Sequence, residues 1–136
     1  MMTRRAALVL VAGGVLLAAC GPTAEEIAAY QPTPVEVALS DGLYRGEWLR
    51  GQLYEIRFDP AGPDQRAMIR VIDADTNRTE YNMPAKVDVA GNKVTLRYTE
   101  FDRTDHLSFD PERNRLEGHI VFNGERTHRL WAERVE

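Results

Sequence analysis

From Gly42 to the C-terminus, apolar and polar residues alternate with a period of two. Turn residues interrupt this alternation roughly every ten residues, which is the spacing of short strands joined by tight loops. The strongest hairpin signal is Asn123-Gly124, because both residue types readily adopt the positive φ that a two-residue turn requires. The pattern contains eight or nine short strands and no helical period of useful length. It therefore predicts an all-β fold in which each strand has one buried and one exposed face.

Short hairpin loops favour strands that pair with their sequence neighbours. Residues 42–136 are therefore predicted to form a small antiparallel up-and-down β-barrel of about eight strands, with a two-sheet sandwich as the alternative. A barrel of this size has room for its own side chains or for one small ligand. Large aromatic side chains are available to fill the interior: Trp48, Tyr54, Phe58, Tyr98, Phe109 and Phe122.

Residues 20–41 are interpreted as a tether. Thr23 and Glu26 fit a capping box, so a short helix is expected to run to about Tyr30, where the nearby Pro32 ends it. Val35, Val37 and Leu39 alternate with Glu36 and Ala38, which predicts a short strand. The tether either extends away from the domain or packs on it.

The N-terminal residues have the layout of an export signal. Arg4 and Arg5 precede an apolar run of residues 6–17, and the run ends in Leu17-Ala18-Ala19-Cys20. A spanning helix needs about 20 apolar residues, so this run is too short to cross a bilayer. The layout resembles the lipobox of bacterial membrane lipoproteins, which identifies residues 1–19 as a signal peptide.

The lipoprotein resemblance implies a lipid anchor on Cys20. A diacylglycerol would be attached to its sulfur, the chain would be cut between Ala19 and Cys20, and the new amino group would be acylated, typically with palmitate. Two or three chains would hold the protein on a membrane permanently, whereas one chain binds only marginally. The domain would face the periplasm, and Gly21 favours the outer over the inner membrane.

The charge of the chain argues against nucleic acid as a partner. The signal holds two of the 17 basic residues and none of the 21 acidic ones, so the mature chain carries 15 basic and 21 acidic residues, a net charge of −6. Nucleic-acid binding selects clustered positive charge. No motif indicates a cofactor.

A second resemblance lies at the start of the barrel. Gly46-Glu47-Trp48 is similar to the Gly-x-Trp signature of lipocalin and avidin-like barrels. In lipocalins an arginine of the last strand lies over this tryptophan, and Arg129 and Arg134 are the candidates here. The resemblance implies a carrier of a small apolar ligand.

No residue pattern indicates catalysis. His106, His119 and His128 lie on three different predicted strands without the spacing of a local metal pair, with His119 expected to face water and His128 to point inward. The polar residues 102–106 are interpreted as a hairpin loop. The chain has no Gly-x-Ser-x-Gly elbow and no phosphate loop. We therefore predict that the protein is not an enzyme and has no metal site.

The sequence favours a lipid-anchored envelope lipoprotein whose barrel makes protein–protein contacts, in an accessory, scaffolding or inhibitor role. Exposed aromatic side chains are frequent contact residues in such interfaces. The candidates for contact with a partner or ligand are Trp48, Tyr44, Tyr81 and Trp131. The alternative is a lipocalin-like carrier of a small apolar ligand.

Overall fold

The computed structural model describes residues 21–49 and 51–136, with the side chain of Trp48 excepted. The described residues belong to two compact units. Residues 32–61 and 65–136 make up the larger unit, and residues 21–31 and 62–64 belong to the smaller one. The predicted signal peptide and Cys20 lie outside the described residues. Within the described residues, no helix has the length and apolar character needed to cross a bilayer.

The larger unit contains a closed antiparallel barrel, which confirms the predicted fold and selects the barrel over the sandwich. Each strand pairs with its sequence neighbours, and β1 pairs with β8 to close the cylinder, with Tyr44 opposite Arg134 and Glu47 opposite Trp131. The eight strands of the described chain are β1 (Leu43–Leu49), β2 (Gln52–Phe58), β3 (Arg66–Asp73), β4 (Thr79–Ala90), β5 (Lys93–Tyr98), β6 (Arg103–Asp110), β7 (Arg115–Phe122) and β8 (Glu125–Arg134).

The up-and-down order gives the barrel two different ends. The loops that follow β1, β3, β5 and β7 all lie at one end, which we call the mouth. The chain enters β1 at the opposite end, which we call the plugged end, directly after a short helix. Any binding surface built from the mouth loops is therefore remote from the point where the N-terminal segment joins the barrel.

Two short helices precede the barrel. Helix α1 (Ala24–Ala29) has the predicted capping box, in which Thr23 and Glu26 exchange side-chain hydrogen bonds to each other's backbone N–H groups. Helix α2 (Pro34–Leu39) replaces the predicted short strand. The strand prediction was wrong because Thr33 and Glu36 form a second capping box and Pro34 occupies the first helical turn, where proline is favoured.

Helix α2 packs on the barrel through one face. Val35 and Leu39 lie one helical turn apart and both join the main apolar core. Leu39 is fully buried, while Val37 on the other face is 58% exposed. At the same end, the buried Tyr44 ring meets Phe58 edge-on at 5.5 Å and Phe109 at 6.5 Å. This end is thus closed by apolar packing.

Two glycines allow neighbouring strands to approach unusually closely. A Cβ atom on Gly46 would lie 1.7 Å from the backbone oxygen of Trp131, and one on Gly118 would lie 1.8 Å from that of His106. No side chain fits at such distances. Gly46 is the first residue of the lipocalin-like triplet, and in this barrel it lies at the seam between β1 and β8.

Candidate binding site at the barrel mouth

The mouth contains a small cavity with an apolar rim. Its volume is about 220 Å³, and its lining residues are Leu49, Arg103, Ile120, Phe122, Thr127 and His128. Leu49 and Phe122 end their strands at the mouth and are 37% and 43% exposed. From the sequence, Phe122 is among the side chains that could fill the interior. Phe122 does not do so, because it lies at the last position of β7.

A third exposed apolar side chain lies at the mouth. Phe101, in the loop between β5 and β6, is 40% exposed and stacks on Tyr98 with 5.7 Å between ring centroids. Tyr98 in turn lies under the guanidinium of Arg103, which is 4.5 Å from its ring centroid. Because Arg103 lines the cavity, these contacts connect Phe101 to the same end of the barrel.

A buried polar cluster lies below the rim, inside the barrel. Asp105 is fully buried and accepts hydrogen bonds from the hydroxyls of Tyr54 and Tyr98, the latter at 2.7 Å. The two hydroxyl oxygens are 3.0 Å apart. Arg103 donates from Nε to Asp105 Oδ1 at 2.9 Å and from its terminal nitrogen to Oδ2 at 3.2 Å. Both carboxylate oxygens are therefore engaged.

Burial and electrostatics keep Tyr54, Tyr98 and Arg103 protonated near neutral pH. Burial, followed by the negative charge of Asp105, raises the pKa values of Tyr54 and Tyr98 well above the ordinary value. Burial alone would lower the pKa of Arg103, but its interactions with Tyr98 and Asp105 outweigh burial and raise it. The phenols thus remain donors and Arg103 remains charged. Both phenols and the guanidinium therefore donate to the carboxylate of Asp105.

The cluster corrects one interpretation of the sequence. Residues 102–106 were expected to form a hairpin loop, but Arg103 begins strand β6. Within β6, every second residue is buried: Arg103, Asp105, Leu107 and Phe109. The period of two is present in the sequence, and it continues through the charged residues Arg103 and Asp105. Their mutual ion pair is what permits charged side chains to occupy inward positions.

The predicted contact residues lie in different environments. Tyr44 is fully buried and is therefore not an exposed contact residue. Tyr81, near the start of β4, is 58% exposed and pairs with the buried Val71 of β3. Trp131 is half-buried, with the Arg115 guanidinium 4.6 Å from its ring centroid. The side chain of Trp48 lies outside the described residues, as does the predicted arginine contact to it.

The candidate arginines for that contact have other partners. Arg134 lies 5.9 Å from the centroid of the Tyr44 ring and donates to the backbone oxygen of Ala38 at 2.5 Å. Arg134 thus ties β8 to the end of α2. Arg129 lies opposite His119 in the pairing of β7 with β8.

The histidines lie at two different places on the barrel. His128 is exposed and lines the mouth cavity together with Arg103 and Ile120. His106 and His119 are directly opposite each other on β6 and β7. Within the described residues, no group of three or more His, Cys, Asp or Glu side chains is placed to hold a metal ion.

The chain was compared with protein-family models, with curated proteins and with solved structures, and no match was found. The fold and the geometry of the mouth are therefore the observations on which a functional proposal rests.

Proposed function

We propose that this protein is a lipid-anchored envelope lipoprotein whose non-enzymatic barrel binds a partner protein at its mouth. The observation that supports partner binding is the group of exposed apolar side chains at the mouth: Leu49, Phe101 and Phe122. Apolar and aromatic residues around a shallow cavity are typical of the anchors of protein interfaces.

The position of the mouth supports a contact away from the lipid surface. Helix α2 joins the barrel at the plugged end, so the segment that leads back to Cys20 leaves from that end. The rim lies at the other end of the cylinder. With the anchor on Cys20, the periplasm-facing barrel would present its rim to a partner in the envelope, and the outer membrane is the favoured site of attachment.

The anchor has its own test, which is metabolic labelling with palmitate. We expect the wild-type protein to take up label and to be processed, because its lipobox ends in the cysteine that receives lipid. Cys20→Ala should lose both label and processing. Labelling that persists in the Cys20→Ala variant would contradict the anchor.

Partner binding is tested by photo-crosslinking in intact cells. A photoactivatable residue at position 122 should give a discrete protein adduct. The matched control is position 37, because Val37 is an equally apolar, exposed residue at the plugged end. Leu49→Asp should reduce the adduct formed from position 122. Equal adducts from both positions, or none from position 122, would refute binding at the mouth.

A carrier of a small apolar ligand is the second candidate, and the mouth cavity is its support. The cavity of about 220 Å³ is smaller than the roughly 300–1,000 Å³ of typical ligand sites. Tyr44, Tyr54, Phe58 and Phe109 occupy interior positions. Native mass spectrometry decides between the candidates. An extra mass that disappears on denaturation would favour the carrier, and a bare chain mass would favour the partner protein.

A further inference from the structure

Two imidazoles lie face to face on the outer wall of the barrel. His106 of β6 and His119 of β7 are directly paired in register. Their ring centroids are 5.4 Å apart and their planes differ by 26°. Two nitrogens bound to one metal ion at about 2.1 Å each are at most about 4.2 Å apart. Rotation of these side chains about their own bonds can bring the edges of the two rings to such a separation.

The pair borders an open groove that could admit an ion and its water ligands. The groove has a volume of about 390 Å³, and its lining residues are Lys93, Thr95, His106, Leu107, Ser108, Gly118 and His119. Gly118 lets β7 lie close to β6 at the groove, because a Cβ atom there would be 1.8 Å from the backbone oxygen of His106. Lys93 donates a hydrogen bond to Ser108 at 3.2 Å, which holds its ammonium group beside the groove.

The surrounding charges have two opposing effects on a bound cation. Burial first, and then Arg126, His106 and Arg129, lower the pKa of His119. A lower pKa keeps the ring neutral near pH 7, which is the form that binds metal. The same arginines repel a cation, as does the ammonium group of Lys93 beside the groove. Glu117, two residues before His119 on β7, contributes a compensating negative charge, although it also lies 3.6 Å from Arg115.

We propose that His106 and His119 together bind one divalent transition-metal ion, with Cu²⁺ bound most tightly. Imidazole suits copper, nickel and zinc, and copper has the highest affinity of the divalent series for nitrogen sites. No third His, Cys, Asp or Glu completes such a site in the part of the chain that the structure describes, so water would occupy the remaining positions.

The test is Cu²⁺ titration of the full chain in detergent, with Cys20→Ala in every sample so that no unlipidated thiol can compete for the ion. Electron paramagnetic resonance reports how many imidazole nitrogens bind the ion. We expect two nitrogens, and a loss of affinity in both His106→Gln and His119→Gln. The affinity for Cu²⁺ should fall at least as much as when a group that only supports a metal ligand is removed, which is roughly 10–100-fold.

His128→Gln is the matched control, because His106, His119 and His128 are the only histidines in the chain. It should bind Cu²⁺ like the parent. Unchanged affinity in the His106 or His119 variant, an equal loss in the His128 variant, or no binding at all would overturn the proposal. Circular dichroism checks that each variant is folded. If His119→Gln unfolds the barrel, the Cu²⁺ affinity of His106→Gln decides the outcome alone, because His106 is exposed.

Discussion

Asp105→Ala tests whether the buried ion pair holds the mouth end of the barrel together. Asp105 is fully buried, and its partner Arg103 is 5% exposed. Removing the carboxylate leaves the guanidinium buried without its counter-charge, and breaking a buried pair in this way costs about 3–5 kcal/mol. The hydroxyls of Tyr54 and Tyr98 lose the same acceptor but retain each other. We therefore expect a loss in the free energy of unfolding of about 3–5 kcal/mol.

The chain provides a matched exposed pair as a control. Asp88 and Arg97 form a salt bridge of 2.6 Å, with both side chains more than half exposed. Surface pairs contribute about 0–1 kcal/mol, so Asp88→Ala should change stability by no more than that. Replacing Arg103 and Asp105 together by leucine should cost less than Asp105→Ala alone, because no buried charge is then left unpaired.

Urea unfolding followed by circular dichroism measures these differences. A loss of 3 kcal/mol would also lower the melting temperature by about 12 °C or more in a domain of this size. The reasoning fails if Asp105→Ala costs no more than Asp88→Ala, or if the double leucine variant is less stable than Asp105→Ala. Either result would mean that the ion pair does not dominate the energetics of the cluster.

Three further predictions concern the strand contact, the helix plug and pH. Gly118→Ala should destabilise the barrel by about 1–3 kcal/mol or more in urea unfolding, because the new Cβ would overlap a backbone oxygen. Thr33→Ala should lower the free energy of unfolding by about 0.5–2 kcal/mol through loss of the α2 cap. Thr23 caps α1, a helix with no buried residues, so Thr23→Ala should leave barrel unfolding unchanged. Because the pKa of His119 is lowered by folding, the unfolded chain binds this proton more readily. Stability should therefore fall as pH drops through the ordinary histidine value of about 6.5, and His119→Gln should flatten this slope in urea midpoints measured against pH.

The sequence predicted the barrel because alternation and turns are local properties of the chain. The Asn123-Gly124 turn is present, with both residues at positive φ as expected. The polar cluster was missed because an inward-facing Asp105 depends on three partners, two of which are on other strands, and no local rule supplies them. Helix α2 was missed for a different reason. Its capping box was visible in the sequence, but the alternation over five residues fits a strand and a helix equally well.

The pairing of β1 with β8 sets a limit on when the barrel can form. All other pairings join strands that are neighbours in sequence, so they can form while the chain is still being made or exported. The second edge of β1 has no partner until β8 is available, because Glu47 pairs with Trp131 and Tyr44 pairs with Arg134. Until then the growing sheet has two open edges, which are the places where strands of other chains could add. A chain that lacks the hairpin of β7 and β8 would keep those edges permanently, so closure of the cylinder depends on this last hairpin.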